Sequence, residues 1–199
     1  MARSRAIIVF LRVPESGKVK TRLASTMGKD KALSIYKQLT TMTLDVVRQT
    51  DAGILLFYFP DVPAAVPAFG QAFRQQGTNL GEKISNAFDQ ALTSHQQVLI
   101  IGTDCPYLTV DQIDRAFNAL DTADVVVGPA SDGGYYLLGL NAPAPAMFRD
   151  IDWSTDKVLT QTLAKSQLLG FNHHLLEELS DIDYEEDWIR FLETRGDDQ

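Results

Sequence analysis

The sequence predicts an α/β fold, a three-layer sandwich with helices on both faces of a largely parallel, mixed sheet, and three observations lead there. Apolar, β-branched runs of five to eight residues alternate with stretches whose apolar residues recur at helical spacing. The runs are apolar at almost every position, as in strands covered on both faces, instead of alternating as half-solvated strands do. Polar, glycine-bearing clusters follow the runs, which is where open α/β sheets bind ligands.

Ala6–Val13 (AIIVFLRV) is continuous and β-branched and reads as the first strand, after which Pro14, Ser16 and Gly17 open a loop. From Lys29 to Thr50, Leu33, Tyr36, Leu39, Thr40, Thr43, Val46 and Val47 recur at helical spacing and predict a long first helix. Gly53–Phe59 (GILLFYF) is the second strand, and Pro60, Pro63 and Pro67 mark a loop with at most a short helix. Asn79–Leu92 predicts helix, Gln97–Gly102 (QVLIIG) strand and Thr109–Leu120 helix. Asp124–Gly128 and Tyr135–Leu140 are strands flanking Pro129-Ala130-Ser131-Asp132-Gly133-Gly134. Ala142-Pro143-Ala144-Pro145 reads as a stiff excursion. Helix returns from Thr155 to about Leu169, Phe171–Leu176 is a candidate last strand, and Tyr184–Glu193 a closing helix. No repeat, low-complexity tract or long linker divides the 199 residues, so residues 1–199 are expected to form one domain.

A hydrophobic content of 45% with 22% charged residues is that of a globular chain and rules out disorder, collagen and coiled coil. Eighteen Lys plus Arg against 26 Asp plus Glu give a net charge of −8, which argues against nucleic acid, whose phosphates need a basic stripe. A small ligand is expected instead. Cys105 is the single cysteine, so neither an intrachain disulfide nor a Cys-based zinc cluster can form, and the cytoplasm is the natural compartment. The apolar run after Arg5 meets Arg12 and Pro14 too soon to span a membrane and ends without a small-residue cleavage site. No membrane span is expected, and a free sheet edge could support a homodimer.

The loop Pro14–Leu23 places Gly17, Lys18, Lys20, Thr21 and Arg22 directly after the first strand, a composition suited to phosphate. It is not a Walker A loop, which would need glycine at Arg12, and Lys18 is followed by Val19. A solvated basic turn explains the composition equally well. Asp104, in Thr103-Asp104-Cys105-Pro106, ends a strand in a carboxylate and is a candidate ligand for a hard cation, Mg²⁺ or Mn²⁺; the alternative is a turn cap. Cys105 has no histidine nearby in sequence and reads as a buried, inert thiol. Asp132 could meet a sugar hydroxyl, an amine or a metal, with Gly133 and Gly134 allowing close backbone approach, although a plain hairpin also uses Asp-Gly-Gly. Asp181 and Asp183, two apart in an extended segment, face one way and could share a cation; alternatively Asp183 caps the closing helix with Glu186 three residues on. His173 and His174 are adjacent and point to opposite strand faces, and His95 looks like a loop residue.

Taken together, FLRVPESGKVKTRLA, IGTDCPYL, GPASDGGYYLLGL, IDWST and SDIDYEED resemble one family over nearly the whole chain and in the right order. It is the bacterial group of GT-A-fold glycosyltransferases called selenodomain-associated, or arsenosugar-biosynthesis, transferases. The resemblance implies a nucleotide-diphospho-sugar transferase fold, Rossmann-like, more distantly similar to enzymes that attach nucleotides to sugars, molybdopterin or phospholactate. It implies that Lys18, Lys20 and Arg22, with Gly17 and Thr21, contact phosphates, with Lys20, Arg22 and Asp104 carrying the transfer. It further implies that Asp104, Asp181 and Asp183 hold the metal, and that Asp132, Gly133 and Gly134 line the acceptor side. Thr78-Asn79-Leu80-Gly81-Glu82-Lys83 departs from the family, which tends to show Gly-Asp before Leu-Gly and arginine near Lys83; Asn79 and Gly81 are expected to face the nucleotide. The expected activity is metal-dependent transfer from a nucleotide-activated sugar to a small acceptor. Two alternatives stand beside it: nucleotidyl transfer from a nucleoside triphosphate with release of pyrophosphate, and a non-catalytic nucleotide-sugar-binding module.

Overall fold

Seven strands hydrogen-bond into one sheet in the order β3-β2-β1-β4-β6-β5-β7. They are β1 (Arg5–Arg12), β2 (Gly53–Phe59), β3 (Gln71–Arg74), β4 (Gln97–Ile101), β5 (Val125–Pro129), β6 (Tyr135–Leu140) and β7 (His173–Leu175). The computed structural model describes residues 4–196. Strand β1 is parallel to both β2 and β4, β2 to β3, and β5 to β7. Strand β6 alone among the described strands runs against its neighbours, because the short turn after β5 folds the chain straight back beside it. The largely parallel mixed sheet expected from the buried runs is thus present.

Residues of β1 alternate between two cores. Ile7, Val9 and Leu11 face the layer of α2 (Lys29–Val47) and α4 (Val110–Ala119), meeting Val47, Ile113 and Phe117. Ala6 and Ile8 face the opposite layer, meeting Ile84 and Phe88 of α3 (Leu80–Leu92) and the partly buried Leu159 and Leu163 of α5 (Val158–Leu168). Each such buried aliphatic side chain stabilises the fold by roughly 1.5–3 kcal/mol, so burial on both faces outweighs the modest propensity of any single residue. A smaller third core joins Leu23 of α1 (Thr21–Met27), Ile35 and Leu39 of α2, and Trp188 and Phe191 of α6 (Glu185–Gly196). Helix starts follow the sequence: the Asn79 side chain accepts the Glu82 N–H at 2.9 Å, and Thr109 forms a capping box with Gln112.

Three elements differ from expectation. Residues Gln71–Arg74 form an edge strand beside β2 where a loop was expected, since four half-exposed residues carry almost no periodic signal without their partner. Helix α1 lies inside the expected basic loop; it buries only Leu23, and Gly28 at φ +82° ends it. The Ala-Pro excursion leads into a 3₁₀ helix (Pro145–Phe148) whose Met147 and Phe148 are buried against α3, so its role is packing instead of spacing. Among the described residues, no helix is long and apolar enough to cross a membrane.

Candidate functional site

A cleft of about 970 Å³ opens where the carboxyl ends of β1, β2 and β4 meet the turn between β5 and β6. It is there because parallel strands all release their chain at one edge, leaving a trough lined by the residues that follow each strand. Asp104, Asp132, Asp181 and Asp183 reach it from three separate connections, the last two from the segment between β7 and α6.

Two acids of the floor are organised around Lys20, which lines an adjoining recess. Its backbone is left-handed, at φ 47° and ψ 51°, a conformation costly for a side chain with a Cβ. It directs an ammonium only 5% exposed to Asp104 Oδ1 at 2.7 Å, Asp183 Oδ1 at 3.3 Å and the Ile182 carbonyl at 2.6 Å. Burial pulls the Lys20 pKa down, but the Asp104 and Asp183 charges more than offset it, and the group is held above its ordinary value. Arg22 takes the other oxygen of Asp183 at 2.8 Å. Asp183 therefore has both oxygens engaged by protein cations. It does not pair with Glu186 at the start of the closing helix: Asp187, in the first turn, reaches back instead, its Oδ2 accepting the N–H groups of Asp183 at 3.1 Å and Tyr184 at 2.8 Å.

Asp181 is different. Its Oδ1 is buried with no hydrogen-bond partner among the described residues. Burial, then the neighbouring Asp104 and Asp132 charges, push its carboxyl up to about 7, with Lys20 pulling the other way. Asp104, 45% exposed, stands next to it. A buried orphan oxygen beside a second carboxylate fits a hard cation that takes one or two protein ligands and completes its shell with water and phosphate oxygens. No group of three or more described His, Cys, Asp or Glu side chains could hold a metal ion, so the fit is to a site shared with a substrate.

The remaining sequence candidates fall in different places. Asp132 Oδ1 accepts the Gly134 N–H at 2.9 Å, so the hairpin reading holds while both residues also line the cleft. Gly133, at φ +86°, packs against the Asp156 backbone, leaving no room for a Cβ. Asn79 lines the cleft as a helix cap, whereas Gly81 lies outside the lining and serves packing: a Cβ there would meet the Trp153 indole nitrogen at 2.6 Å. Gly17 makes a positive-φ turn against Lys29 and is likewise outside. Lys18 is exposed, paired with Glu15 at 2.7 Å, and borders only an adjoining recess of about 250 Å³ that Thr21 shares. Cys105 is buried with its thiol pushed up to about 12, chiefly by burial, so at neutral pH it is an unreactive thiol. His173 and His174 sit in β7, and His95 in a loop with Nδ1 at 3.1 Å from the Ala91 carbonyl.

Two cations of the cleft, Arg12 and Lys83, are not among the expected site residues. Arg12 ends an apolar run, and its guanidinium lies 5.6 Å from the centre of the Phe59 ring. Lys83 places Nζ 3.7 Å from the same centre. Tyr36 fixes the Arg12 backbone from α2, its hydroxyl accepting the Arg12 N–H at 2.8 Å and donating to the Arg12 carbonyl at 2.9 Å. The available signal was a lone arginine at the carboxyl end of a buried strand.

Residues 40–155 match the family described as "Uncharacterized protein conserved in bacteria (DUF2064)". The chain is 30% identical over 128 residues to the phosphoenolpyruvate guanylyltransferase of Sphaerobacter thermophilus, a match spanning 61% of either protein. A solved structure from Desulfovibrio desulfuricans G20, provisionally named a nucleotide-diphospho-sugar transferase, is 30% identical with a TM-score of 0.85, covering 92% of this chain and 84% of that one. The Rv0371C protein of Mycobacterium tuberculosis H37Rv, solved in complex with manganese, shares the fold at 13% identity and a TM-score of 0.60, over 96% of this chain and 99% of that one. The architecture is that of nucleotide-diphospho-sugar transferases and nucleotidyltransferases.

Proposed function

This chain belongs to the bacterial DUF2064 family, and from that premise we propose that it is a metal-dependent transferase moving a nucleotidyl group from a nucleoside triphosphate to a small acceptor. One observation carries the reading: the orphan buried oxygen of Asp181 beside Asp104, at the floor of a cleft large enough for a nucleotide. The guanylyltransferase relative supports nucleotidyl over sugar transfer. In such a step an acceptor oxygen attacks the α-phosphorus, the bond to the bridging oxygen of the β-phosphate breaks, and pyrophosphate leaves. A bound Mg²⁺ or Mn²⁺ supplies positive charge for the phosphate oxygens; Asp104 and Asp181 are the residues that would hold it.

The chain's own residues do the positioning. Lys20 pins the Asp104 carboxylate, and Arg22 neutralises Asp183 so that this second acid does not add to the repulsion of a phosphate. Asp132, on the β5–β6 turn, lines the cleft, where it would accept from an acceptor hydroxyl. Sugar transfer, with membership of the selenodomain-associated group, is the second reading. The Desulfovibrio relative favours it, as do Asp132 and Asp156, two cleft carboxylates that suit sugar hydroxyls. A single domain of residues 1–199 working in the cytoplasm on small molecules completes the proposal.

Calorimetric titration with nucleoside triphosphates and nucleotide sugars, each with and without Mg²⁺, tests it. Mg²⁺-dependent binding of one triphosphate, tighter than that of its sugar diphosphate, is expected, and the reverse order favours sugar transfer. Absence of binding by every nucleotide overturns both. Asp104→Asn is expected to abolish Mg²⁺-dependent turnover with the melting temperature retained; a variant that unfolds instead makes Asp104 a turn cap.

A further inference from the structure

We propose that Arg12 and Lys83, set about the Phe59 ring, form the anion seat of the cleft and take a phosphoryl or carboxylate group of a substrate. The inference rests on the transferase reading for its substrates but not for its geometry. Six aspartates line the cleft, Asp104, Asp132, Asp156, Asp181, Asp183 and Asp187, in a chain of net charge −8. A polyanion entering that field is repelled unless uncompensated cations receive it.

The basic loop, where composition puts those cations, does not offer them. Lys18 is tied to Glu15, Lys20 to Asp104 and Asp183, and Arg22 to Asp183. Arg12 and Lys83 have no carboxylate partner among the described residues. Arg12 spends one N–H on the Lys18 carbonyl, at the long distance of 3.4 Å, and otherwise lies near Phe59. Lys83, closer to the ring centre at 3.7 Å, is held there from the first turns of α3. The Lys83 pKa is lowered, by burial and then by the Arg12 charge, which is the signature of two cations kept together with no acid to relieve them. An arriving anion supplies that relief; until it does, the Phe59 ring accommodates both cations.

The seat also explains why Arg12 is anchored so firmly. Tyr36 bonds both backbone groups of Arg12 and is itself 4% exposed, so the guanidinium departs from a fixed point at the end of β1. Lys83 comes from a rigid, capped helix.

Inorganic pyrophosphate in the presence of EDTA is the probe, since it reports the seat without metal, base or transfer. Arg12→Gln and Lys83→Gln are each expected to weaken pyrophosphate about tenfold or more, the scale of a lost charge-assisted contact. Lys83→Arg is expected to restore it, and equal melting temperatures exclude a folding defect. Two further arms identify the group that sits there. A loss shared by nucleoside triphosphates assigns the seat to the donor's phosphates. A loss shared instead by phosphoenolpyruvate, the compound in the name of the Sphaerobacter relative, assigns it to an anionic acceptor. Unchanged affinity for all three anions in both Gln variants overturns the proposal, as does a loss confined to Lys18→Gln or a wild type that does not take up pyrophosphate. Pyrophosphate binding that depends on Arg12 and Lys83 while no nucleotide binds keeps the seat and removes the transferase reading, so the two failures are separable.

Discussion

Replacing Asp181 with Asn is expected to stabilise the protein above neutral pH and to lose that advantage in mild acid. In the folded chain the carboxyl is pushed up to about 7 by burial and by the Asp104 and Asp132 charges, against an ordinary value of 3.8. Between those values the folded state keeps a proton that the unfolded state has released. Stability therefore falls as pH rises through that window and levels off above it. At roughly 1.4 kcal/mol per pH unit the gap corresponds to at most about 4 kcal/mol. Between pH 5 and pH 8 about two units of that gap are crossed, so the difference is expected to change by about 3 kcal/mol, or roughly 6–12 °C in melting temperature for a chain of this length. An unmet hydrogen bond of the new amide costs about 1–3 kcal/mol, but equally at both pH values, so it cancels from the comparison. The assay is urea or thermal unfolding of both proteins at pH 5 and pH 8 in EDTA, reading how the difference changes with pH. A difference that stays constant, or moves against the variant at pH 8, refutes the claim that this carboxyl is held charged at the expense of the fold. Mg²⁺ at pH 8 should raise the melting temperature of the wild type and not that of the variant, if Asp104 and Asp181 together hold the ion as proposed.

Two other substitutions probe the site's scaffolding. Lys20→Met removes the ammonium clamped by Asp104 and Asp183 and leaves two partly buried carboxylates facing each other, for an expected loss of about 3 kcal/mol in urea unfolding. The Lys20 pKa lies above its ordinary 10.5, so its contribution is fully present at neutral pH and disappears only as pH climbs past that value; a loss at both pH 6 and pH 8, larger at pH 8 where the ionised Asp181 has also lost the Lys20 charge, is the check. Gly133→Ala places a methyl against the Asp156 backbone at a residue with φ +86°, and an expected cost of about 2 kcal/mol or more is read by thermal melting. A loss under about 0.5 kcal/mol would show that this turn yields easily.

Runs such as AIIVFLRV and QVLIIG were legible as buried strands because burial on both faces is written into every residue of the run. The starts at Asn79 and Thr109 were legible because a capping side chain and the N–H it accepts are three residues apart. The strand QAFR was not, because its hydrogen bonds belong to β2 and its side chains are half exposed. The side chain that closes the start of the last helix was not legible either: acids crowd positions 183, 185, 186 and 187, and only the folded backbone selects Asp187 to reach back to the Asp183 and Tyr184 N–H groups.

The layer architecture, the edge of the sheet where chemistry gathers and the residue types available there are readable from the order of amino acids, because periodicity and chain order are local properties. Which charges are spent and which are free depends on the folded chain. Lys20 meets Asp183 from 163 positions away, and Arg22 meets it from 161, so the loop that looks richest in cations is already neutralised. Arg12 and Lys83, 71 positions apart by their numbers, have no carboxylate partner among the described residues, because the fold brings them to one phenylalanine ring. Charge pairing acts over a few ångströms of space, and spatial proximity between distant segments is what the linear order of residues does not contain.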